Sequence, residues 1–559
     1  MKNIKLLLSF SFLVLHFSFS HGQSWLWTAN AFTKTPADPQ CPVATDRSGN
    51  AYVTGTTQTD TLYIGNTKLM GKYSVTYLAK YNPAGAVVWV RQISGSNTSD
   101  CITTDKSGNV YIAGSFGDTI KIGASTLISP LGNDVFLAKF DSNGNPLWAK
   151  QSQAPTKTSL AGTGFIATDM FNNVFATGDF EDTVSFGSYT LNMFNTSQGN
   201  DRAVFIVKYD SNGNALWAEQ SKTSSAADYG GSSYSVATDK LGNSFITGYF
   251  SDTLSFGSYS LVGGGAFLVK YSAAGSVLWA EQNAGGLCMG SSVITDGINP
   301  YITGSFENNV QFGSHTLSSP GQYSIFLTKY DVNGNAIWAE KSSEEWIGDG
   351  LAADAYNHIY LTGTSYEAKY IKQVSFGSYT LANPLIETSS FIMEFDTAGS
   401  PLCGSLLDNR SSEATNGVAS DPLGKYIYLS SIFGDTLFYS GDTVLGTGAG
   451  YSTFVVRWRS CTLTNGVASI SSQNASVLVY PNPSNGEFTM VESGKLKMEN
   501  EKSNIEVYNM LGEKVYSQFS TLHSPFSINL SGEPNGIYLY HVIDETGNLI
   551  GDGKLVIQK

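Results

Sequence analysis

Two short patterns of apolar and polar residues alternate along most of the chain. The first has the form apolar-x-T/S/A-D-x-x-G-N-x-Y/F-x-T-G, and the second follows it as in F-L-A-K-F-D-S-N-G-N-P-L-W. In each pattern two strand-length stretches flank a polar cluster of Asp, Asn and Gly, which is typical of a β-hairpin. Each repeat therefore predicts two hairpins and four strands, with no predicted helix between copies.

The first pattern occurs seven times, at intervals of 57–70 residues. Its aspartates are Asp46, Asp105, Asp169, Asp239, Asp296, Asp354 and Asp421. Four-stranded sheets repeated at this spacing indicate a β-propeller rather than a helical solenoid. We therefore expect an all-β fold, with a seven-bladed β-propeller of four-stranded blades over residues 23–462.

The two ends of the repeat array predict how the ring closes. Five copies end in a strand that carries a tryptophan: Trp89, Trp148, Trp217, Trp279 and Trp338. The seventh copy stops after F-V-V-R-W, whereas the N-terminal segment around Trp27 has the missing pattern. We expect this segment to supply the fourth strand of the last blade, which leaves no unpaired edge there. In the sixth copy Cys403 replaces the tryptophan; we interpret it as a small buried thiol, with a bridge to Cys461 left open.

The N-terminus predicts export. Lys2 and Lys5 precede an apolar run from Leu6 to about Phe19, and Ser20 and Gly22 are the small residues of a cleavage site. This is typical of a signal peptide over residues 1–22, and we expect no transmembrane span in the mature chain. The net charge of −14 disfavours nucleic acid as a partner. Five scattered cysteines exclude a disulfide framework.

The last part of the chain has a different pattern. After a predicted linker over residues 463–474, residues 475–559 carry alternating runs interrupted by Pro481 and Pro483, which predict a small Ig-like β-sandwich. The strings Y-P-N-P-S-N-G-E-F, V-Y-N-M-L-G-E-K-V-Y and P-N-G-I-Y-L-Y follow in order. This segment resembles the type A C-terminal sorting domain of the type IX secretion system of Bacteroidetes. The resemblance implies that the secretion machinery is a partner and that the protein is secreted or displayed at the cell surface. An ordinary accessory module is the alternative.

The repeats themselves resemble the beta-propeller repeats of bacterial surface and secreted proteins, over about residues 24–462. This resemblance implies a fold and leaves the ligand open. The repeated aspartates could form a calcium ring, but a tight turn capped by each Asp is the interpretation that we adopt. The repeated tryptophans are interpreted as packing between blades rather than as a sugar-stacking platform.

Function is expected where the repeats differ. Residues 341–350 and 364–373 depart from the other copies with aromatic and charged residues, which suit glycan or protein contacts in an exposed loop. Neutral drift of these loops is the alternative. The predicted ligand-loop residues are Glu344, Glu345, Trp346, Asp349, Tyr366 and Tyr370.

A recurrent Asp-Thr-aliphatic string is similar to the O-glycosylation acceptor of Bacteroidetes exported proteins. The predicted acceptors are Thr61, Thr119, Thr183, Thr253, Thr436 and Thr443. The same string could instead begin a short strand and cap its turn, and both roles are compatible.

The sequence contains no motif of a catalytic, metal or cofactor site, and we predict none. We expect a non-enzymatic exported propeller that binds a glycan or a protein. The alternative is a secreted glycan-active hydrolase or lyase with its site at the mouth of the propeller channel. An acid that lies there in only one or two blades would favour the enzyme, whereas seven-fold recurrence would favour binding or a scaffold.

Overall fold

A computed structural model describes residues 25–32, 42–57, 61–72, 75–95, 98–154, 161–193, 202–223, 230–319, 323–343, 346–365, 373–382, 390–409, 415–421, 424, 426–433, 436–439, 442–445, 452–458, 477–480, 482, 484–492, 503–509, 513–520, 526–543 and 549–559. The chain divides into two compact units, Met1–Leu463 and Thr464–Lys559. The predicted signal peptide and the predicted linker 463–474 lie outside the described residues.

All regular elements of the first unit's described residues are strands. In the first half they are β1 (Trp25–Phe32), β2 (Val43–Thr45), β3 (Ala51–Thr57), β4 (Thr61–Ile64), β5 (Thr67–Met70), β6 (Val75–Tyr81), β7 (Val87–Ile93), β8 (Cys101–Thr104), β9 (Val110–Ile122), β10 (Ser125–Phe140), β11 (Pro146–Gln151), β12 (Ala161–Thr168), β13 (Val174–Phe180), β14 (Thr183–Phe186), β15 (Tyr189–Asn192), β16 (Ala203–Tyr209), β17 (Ala215–Gln220), β18 (Lys222–Thr223), β19 (Gly231–Thr238), β20 (Ser244–Phe250), β21 (Thr253–Phe256), β22 (Tyr259–Val262), β23 (Gly265–Tyr271) and β24 (Val277–Gln282).

The second half of this unit continues in the same way. Its strands are β25 (Ala284–Gly285), β26 (Cys288–Thr295), β27 (Pro300–Phe306), β28 (Asn309–Phe312), β29 (His315–Ser318), β30 (Ser324–Tyr330), β31 (Ala336–Lys341), β32 (Trp346–Ala353), β33 (Ile359–Ser365), β34 (Gln373–Phe376), β35 (Tyr379–Ala382), β36 (Ser390–Phe395), β37 (Pro401–Asn409), β38 (Thr415–Ser420), β39 (Ile427–Phe433), β40 (Thr436–Tyr439), β41 (Asp442–Leu445) and β42 (Ser452–Trp458).

The long strands pair antiparallel into four-stranded sheets, which we call blades and number along the chain. Among the described residues the blades are β2-β3-β6-β7, β8-β9-β10-β11, β12-β13-β16-β17, β19-β20-β23-β24, β26-β27-β30-β31, β32-β33-β36-β37 and β38-β39-β42-β1. The first strands of successive blades contact one another in a closed cycle from β2 through β38 and back to β2. These first strands therefore surround the axis of a propeller, and the predicted all-β propeller is confirmed.

The N-terminal strand closes the ring, as predicted. β1 pairs antiparallel with β42 as the fourth strand of blade 7, with Trp27 opposite Arg457 and Asn30 opposite Phe454. The edge of β42 is thereby covered, since β42 already pairs with β39 on its other side.

The core lies between blades rather than within them. The second and third strands are buried along nearly their whole length, as in Val75–Tyr81, because each face of a blade packs against a neighbouring blade. One hydrophobic cluster, for example, joins Val204 and Phe175 of blade 3 to Ile246 and Tyr271 of blade 4. Each blade therefore buries its apolar faces against its neighbours.

A short hairpin is inserted between the second and third strands of every repeat, and it pairs with the end of the preceding blade. In blade 4 the hairpin β21-β22 pairs through β21 with β18, which continues the outer strand of blade 3. The equivalent pairings join β4 to β1, Lys121 to Ser94, Ser185 to Gln153, β28 to β25, Phe376 to Ser342 and β40 to β37. We call each of these a latch hairpin.

A row of threonine hydroxyls links the first strands at the end of the ring where the motif aspartates lie. Each hydroxyl donates to the backbone carbonyl of the equivalent residue in the preceding blade. The bonds join Thr45 to Ser420, Thr104 to Thr45, Thr168 to Thr104, Thr238 to Thr168 and Thr295 to Thr238, at 2.5–3.0 Å.

The second unit forms two antiparallel sheets over one core. Its strands are β43 (Val477–Tyr480), β44 (Glu487–Glu492), β45 (Ser503–Tyr508), β46 (Lys514–Ser520), β47 (Phe526–Asn529), β48 (Gly536–Ile543) and β49 (Leu549–Ile557). The sheets β43-β44-β47 and β46-β45-β48-β49 share a cluster that includes Met490 and Val507. The C-terminal Lys559 is tied to this body, because its ammonium group donates to the carbonyls of Ser531 and Glu533 at 2.6 and 2.8 Å. This is the predicted small β-sandwich.

Across the described residues we find no helix of the length and apolarity needed to span a membrane.

Candidate functional site

The repeated aspartates cap tight turns, as predicted. In blade 4 one carboxylate oxygen of Asp239 accepts the backbone N–H groups of Leu241 and Asn243 at 2.9 Å, and the other accepts the side-chain amide of Asn243 at 2.8 Å. Gly242 of this turn has a φ of 77°, a conformation that glycine adopts without steric cost. Because these oxygens are used within the turn, the aspartates are structural.

The same aspartates hold a buried lysine of the second pattern. The ammonium and carboxylate groups are 3.4–3.7 Å apart in the pairs Lys80–Asp46, Lys139–Asp105, Lys208–Asp169, Lys270–Asp239 and Lys329–Asp296. Each lysine also donates to a backbone carbonyl in the turn between the third and fourth strands of the next blade, as Lys208 does to Ala273 at 3.3 Å. The lysine therefore connects two blades.

The repeated tryptophans bind that same carbonyl. The indole N–H of Trp217 donates to the carbonyl of Ala273 at 3.1 Å, and its ring lies beneath Gly275 of the same turn. A Cβ added to Gly275 would be 2.9 Å from the Trp217 ring, so only glycine permits this contact. The four other repeated tryptophans make the equivalent hydrogen bond. The prediction that these tryptophans pack between blades is confirmed.

Blade 6 departs from this arrangement because of the way in which the ring closes. The fourth strand of blade 7 comes from the N-terminus, so blade 7 has no turn between its third and fourth strands to supply the carbonyl. Both donors are replaced accordingly, the lysine by Glu394 and the tryptophan by Cys403. Cys403 is disulfide-bonded, so its interpretation as a free thiol is wrong. Cys461, the bridge partner of Cys403 considered above, lies outside the described residues.

Glu394 is fully buried and lies near a histidine that replaces the usual turn asparagine. His358 Nδ1 is 2.9 Å from Asp354 Oδ2 and 3.7 Å from Glu394 Oε1. The hydrogen bond to Asp354 raises the pKa of His358, and the charges of Asp354, Glu394 and Asp396 act in the same direction against partial burial. When protonated, His358 therefore supplies the positive charge that the lysine supplies in five other blades.

The structure describes two of the predicted ligand-loop residues, and one of the two is buried rather than exposed as predicted. Trp346 is fully buried at the start of β32, and its ring contacts that of Phe391 edge-on at 5.0 Å. It packs in the hydrophobic cluster between blades 5 and 6 and is not an exposed ligand contact. Asp349 is partly exposed in the same strand, where it accepts a hydrogen bond from Thr364. Glu344, Glu345, Tyr366 and Tyr370 lie outside the described residues.

The Asp-Thr strings begin the latch hairpins. Asp118, Asp182 and Asp252 have φ of 66°, 62° and 62°, and each accepts a long hydrogen bond from the threonine that follows, at 3.3–3.4 Å. The structural role of these strings is thereby confirmed, and glycosylation stays a prediction. Thr119 is exposed, and Thr61, Thr183 and Thr253 are partly exposed. The side chains of Thr436 and Thr443 lie outside the described residues.

The clearest departure from the repeat lies between blades 3 and 4. We call it the Asp179 cluster, and its members are Asp179, Glu181, Arg202, Ser232, Tyr234 and Tyr249. Arg202 binds both carboxylates of blade 3: its Nη1 is 3.1 Å from Asp179 Oδ2 and its Nε is 3.2 Å from Glu181 Oε1. The side chain of Arg202 is 46% exposed, whereas those of Asp179 and Glu181 are 19% and 22% exposed.

Blade 4 completes the cluster. Ser232 lies opposite Tyr249 in the pair of β19 and β20, close enough to Asp179 and to Tyr234 to lower the pKa of each, and Tyr249 influences the pKa of Tyr234. Tyr234 stands at the bulge of β19, between the pairs Ser233–Gly248 and Ser235–Thr247. The bulge turns this residue out of the regular alternation of the first strand.

Burial shifts the two acidic groups of the cluster in the same direction. It raises the pKa of Asp179 above its ordinary value, although Arg202 and Ser232 oppose the shift. It also raises the pKa of the Tyr234 hydroxyl, and the charge of Asp179 adds to this effect. Sequence reasoning missed this cluster because its members come from two blades. The available signal was the string T-G-D-F, whose Asp179 stands where other copies have Thr, Ser or Tyr.

Comparisons with known proteins agree with this architecture. Residues 478–558 match the family described as the secretion system C-terminal sorting domain, and residues 88–115 match a beta-propeller repeat. An uncharacterized WD repeat-containing protein of Acanthamoeba polyphaga mimivirus is 25% identical over 520 residues, which cover 72% of this chain and 36% of that protein. The chain thus spans about a third of that relative.

Three solved structures resemble the chain at low identity. The mitotic checkpoint complex has a TM-score of 0.42 and 8% identity, covering 82% of this chain and 99% of that chain. The polysaccharide lyase Uly1 has a TM-score of 0.36 and 11% identity, covering 76% and 91%. A protein of unknown function from Bacteroides caccae has a TM-score of 0.32 and 10% identity, covering 59% and 89%.

The sorting-domain match gives the destination of the chain. Proteins with this C-terminal domain are exported through the type IX secretion system. Residues 478–558 are such a domain, and this protein is a β-propeller exported to the cell surface or the extracellular space.

Proposed function

We propose that this protein is a non-enzymatic propeller that binds a glycan or a protein outside the cell. The observation that carries the proposal is the Asp179 cluster, a polar group confined to one junction between blades. The repeated polar residues already have structural partners, so a ligand site is expected where the repeat is broken. Arg202 engages both carboxylates and is itself nearly half exposed, which suits hydrogen bonding to a ligand.

The predicted loop residues belong to the same proposal. Glu181 directly follows the second strand of blade 3, and Tyr366 directly follows the second strand of blade 6. The second strands of these blades, β13 and β33, end at Phe180 and Ser365 at the same end of the ring. We propose Glu344, Glu345, Tyr366 and Tyr370 as further ligand contacts at this end.

The experiment is a screen of the mature exported chain against glycan arrays and against extracellular proteins. We expect saturable binding to at least one class without turnover of the ligand. A screen with no saturable binding in either class would reject the proposal.

One observation favours the alternative of a glycan-active hydrolase or lyase. A partly exposed carboxyl group with a raised pKa lies beside a tyrosine at one junction between blades, and both are groups that can transfer protons. Incubation with polysaccharides would test it through new reducing ends and through the ultraviolet absorbance of unsaturated products. Loss of such activity in Asp179→Asn would establish the enzyme. If the polysaccharides stay unchanged, the enzyme alternative is rejected and the binding proposal stands.

A further inference from the structure

The Asp179 cluster is specific to one junction. The positions equivalent to Asp179 in the other described blades carry hydroxyl groups: Thr56, Ser115, Tyr249, Ser305 and Thr364. The positions equivalent to Tyr234 carry Asp100, Gly164, Ser291 and Asp349. Arg202 stands where blades 4 and 5 have Gly264 and Tyr323. No requirement of ring assembly that is common to the blades explains this combination.

The charge of the cluster restricts its ligand. One guanidinium faces two carboxylates, so the group carries a net charge of −1, or zero when Asp179 is protonated. The Nε and Nη1 groups of Arg202 are already engaged by Glu181 and Asp179. An anionic ligand would therefore meet a neutralised arginine beside two acids, which is unfavourable at close range. We therefore expect uronic acids and sulfated sugars to bind more weakly than neutral sugars.

The remaining polar groups suit a ligand that is rich in hydroxyl groups. Asp179 and Glu181 supply acceptors, Arg202 retains donors on a side chain that is nearly half exposed, and Ser232 and Tyr234 can both donate and accept. Tyr234 and Tyr249 are partly exposed and provide aromatic surface beside these polar groups. Planar polar groups next to aromatic rings are complementary to the hydroxylated ring of a sugar.

We propose that the Asp179 cluster is a binding site for a neutral glycan, with Arg202 and Tyr234 as direct contacts. This deepens the proposed function and rests on it. The two carboxylates orient the guanidinium, Ser232 lies beside both Asp179 and Tyr234, and the sugar hydroxyls bind to the groups that face solvent. Neutral oligosaccharides are preferred over acidic ones.

The test is isothermal titration calorimetry on the mature chain. The probes are cello-, xylo-, manno- and chito-oligosaccharides, with alginate and polygalacturonate oligosaccharides as acidic counterparts. We expect at least one neutral probe to bind with an affinity that is insensitive to salt between 50 and 300 mM, because no net charge is neutralised. Arg202→Ala and Tyr234→Ala should each weaken its binding by about 10-fold or more, through the loss of hydrogen bonds from a charged group and from a tyrosine. Ser291→Ala, at the position of Tyr234 in blade 5, is the matched control and should leave the affinity within about 2-fold.

Each contrary result overturns a different statement. Exclusive binding of the acidic probes, or strong weakening by salt, would overturn the ligand class. Binding of a neutral probe that survives both cluster substitutions would overturn the site while the proposed function stands. Absence of binding to all glycans and proteins in the wider screen would overturn the proposed function itself. Thermal unfolding of each variant within a few degrees of the wild type is required, and Tyr234→Phe replaces Tyr234→Ala should that variant fail to fold.

Discussion

Glu394 is a buried acid at a position where five blades have a lysine and blade 7 has Arg457. The lysines are retained where the next blade offers a turn carbonyl, and the acid appears in blade 6, because blade 7 has no such turn. Arg457 restores the connection one blade later, since its guanidinium donates to the carbonyl of Pro83 in the turn of blade 1. The residue at this position therefore differs from lysine in blades 6 and 7, the last two blades of the ring.

His358 makes the stability of blade 6 depend on pH. Its pKa is raised in the folded state by the hydrogen bond to Asp354 and by the charges of Asp354, Glu394 and Asp396. A raised pKa means that the imidazolium stabilises the fold fully below about pH 6.5, the value of the unfolded chain, and that this contribution is lost as the pH rises through the folded value. We expect the difference in melting temperature, wild type minus His358→Asn, to decrease as the pH rises from 6 to 9.

The substitution to asparagine is a matched one, because Asn50, Asn109, Asn173 and Asn243 occupy this turn position in other blades. It keeps the turn and removes the titrating group. A difference in melting temperature that stays constant over this pH range would contradict the assignment of the charge to His358.

Trp346 and Asp179 show why single positions were hard to interpret from the sequence. Both depart from the repeat, yet Trp346 fills space against Phe391 whereas Asp179 contributes to a polar cluster. The difference depends on the volume and the neighbours that a second blade provides. The place of Trp346, eight residues before the motif aspartate and thus at the start of a first strand, was the available signal for its burial.

The latch hairpin is the element that the repeat pattern only partly predicted. Its short strands could be expected, but its pairing with the preceding blade could not, because that pairing depends on the stagger between blades. The turn at the start of the hairpin requires a residue with positive φ, and an Asp takes this conformation in blades 2, 3 and 4. Asn308 takes the same conformation, with φ of 61°, in the hairpin of blade 5. Asp and Asn tolerate this region better than other side chains do.

We expect Asp252→Val to destabilise the protein, because a β-branched residue is strained at a φ of 62°. Asp252→Gly relieves this strain and is the control. The valine variant should be less stable than the glycine variant by about 1–2 kcal/mol, as measured by urea unfolding. Equal stability of the two variants would show that the turn does not need the left-handed conformation.

The same elements carry the predicted O-glycosylation sites. Thr119 is exposed at the start of its latch hairpin, which leaves its hydroxyl accessible to a transferase. We expect the intact mass of the native mature protein to exceed that of the polypeptide, and Thr119→Val to reduce the excess by one glycan. A native mass equal to that of the polypeptide would end this hypothesis.

At the scale of the whole molecule, stability depends on closing the ring. The core clusters lie between neighbouring blades, so an open ring leaves the facing surfaces of its two terminal blades without a partner. The propeller, its four-stranded blades and the closing strand could all be predicted, because each leaves a repeated pattern in the sequence. The Asp179 cluster could not, because it is formed by residues that occur once.

Deletion of residues 25–32 should open the ring. It removes every pairing of β42 with β1, at a cost of about 1 kcal/mol for each lost backbone hydrogen bond. We expect a lower melting temperature and a broader calorimetric transition than for the mature chain. A synthetic peptide with the sequence of residues 25–32, added in excess, should restore part of the loss, whereas a scrambled peptide should not. An unchanged transition would contradict the role of β1.

The closing strand also fixes the order of events during export. β1 lies near the N-terminus, and its partner β42 ends the propeller sequence. In the predicted export through a signal peptide over residues 1–22, the first strand crosses the inner membrane before the last blade and stays without β42 until that blade has arrived. A truncated or stalled chain cannot complete the ring, so only a fully delivered polypeptide forms a closed propeller.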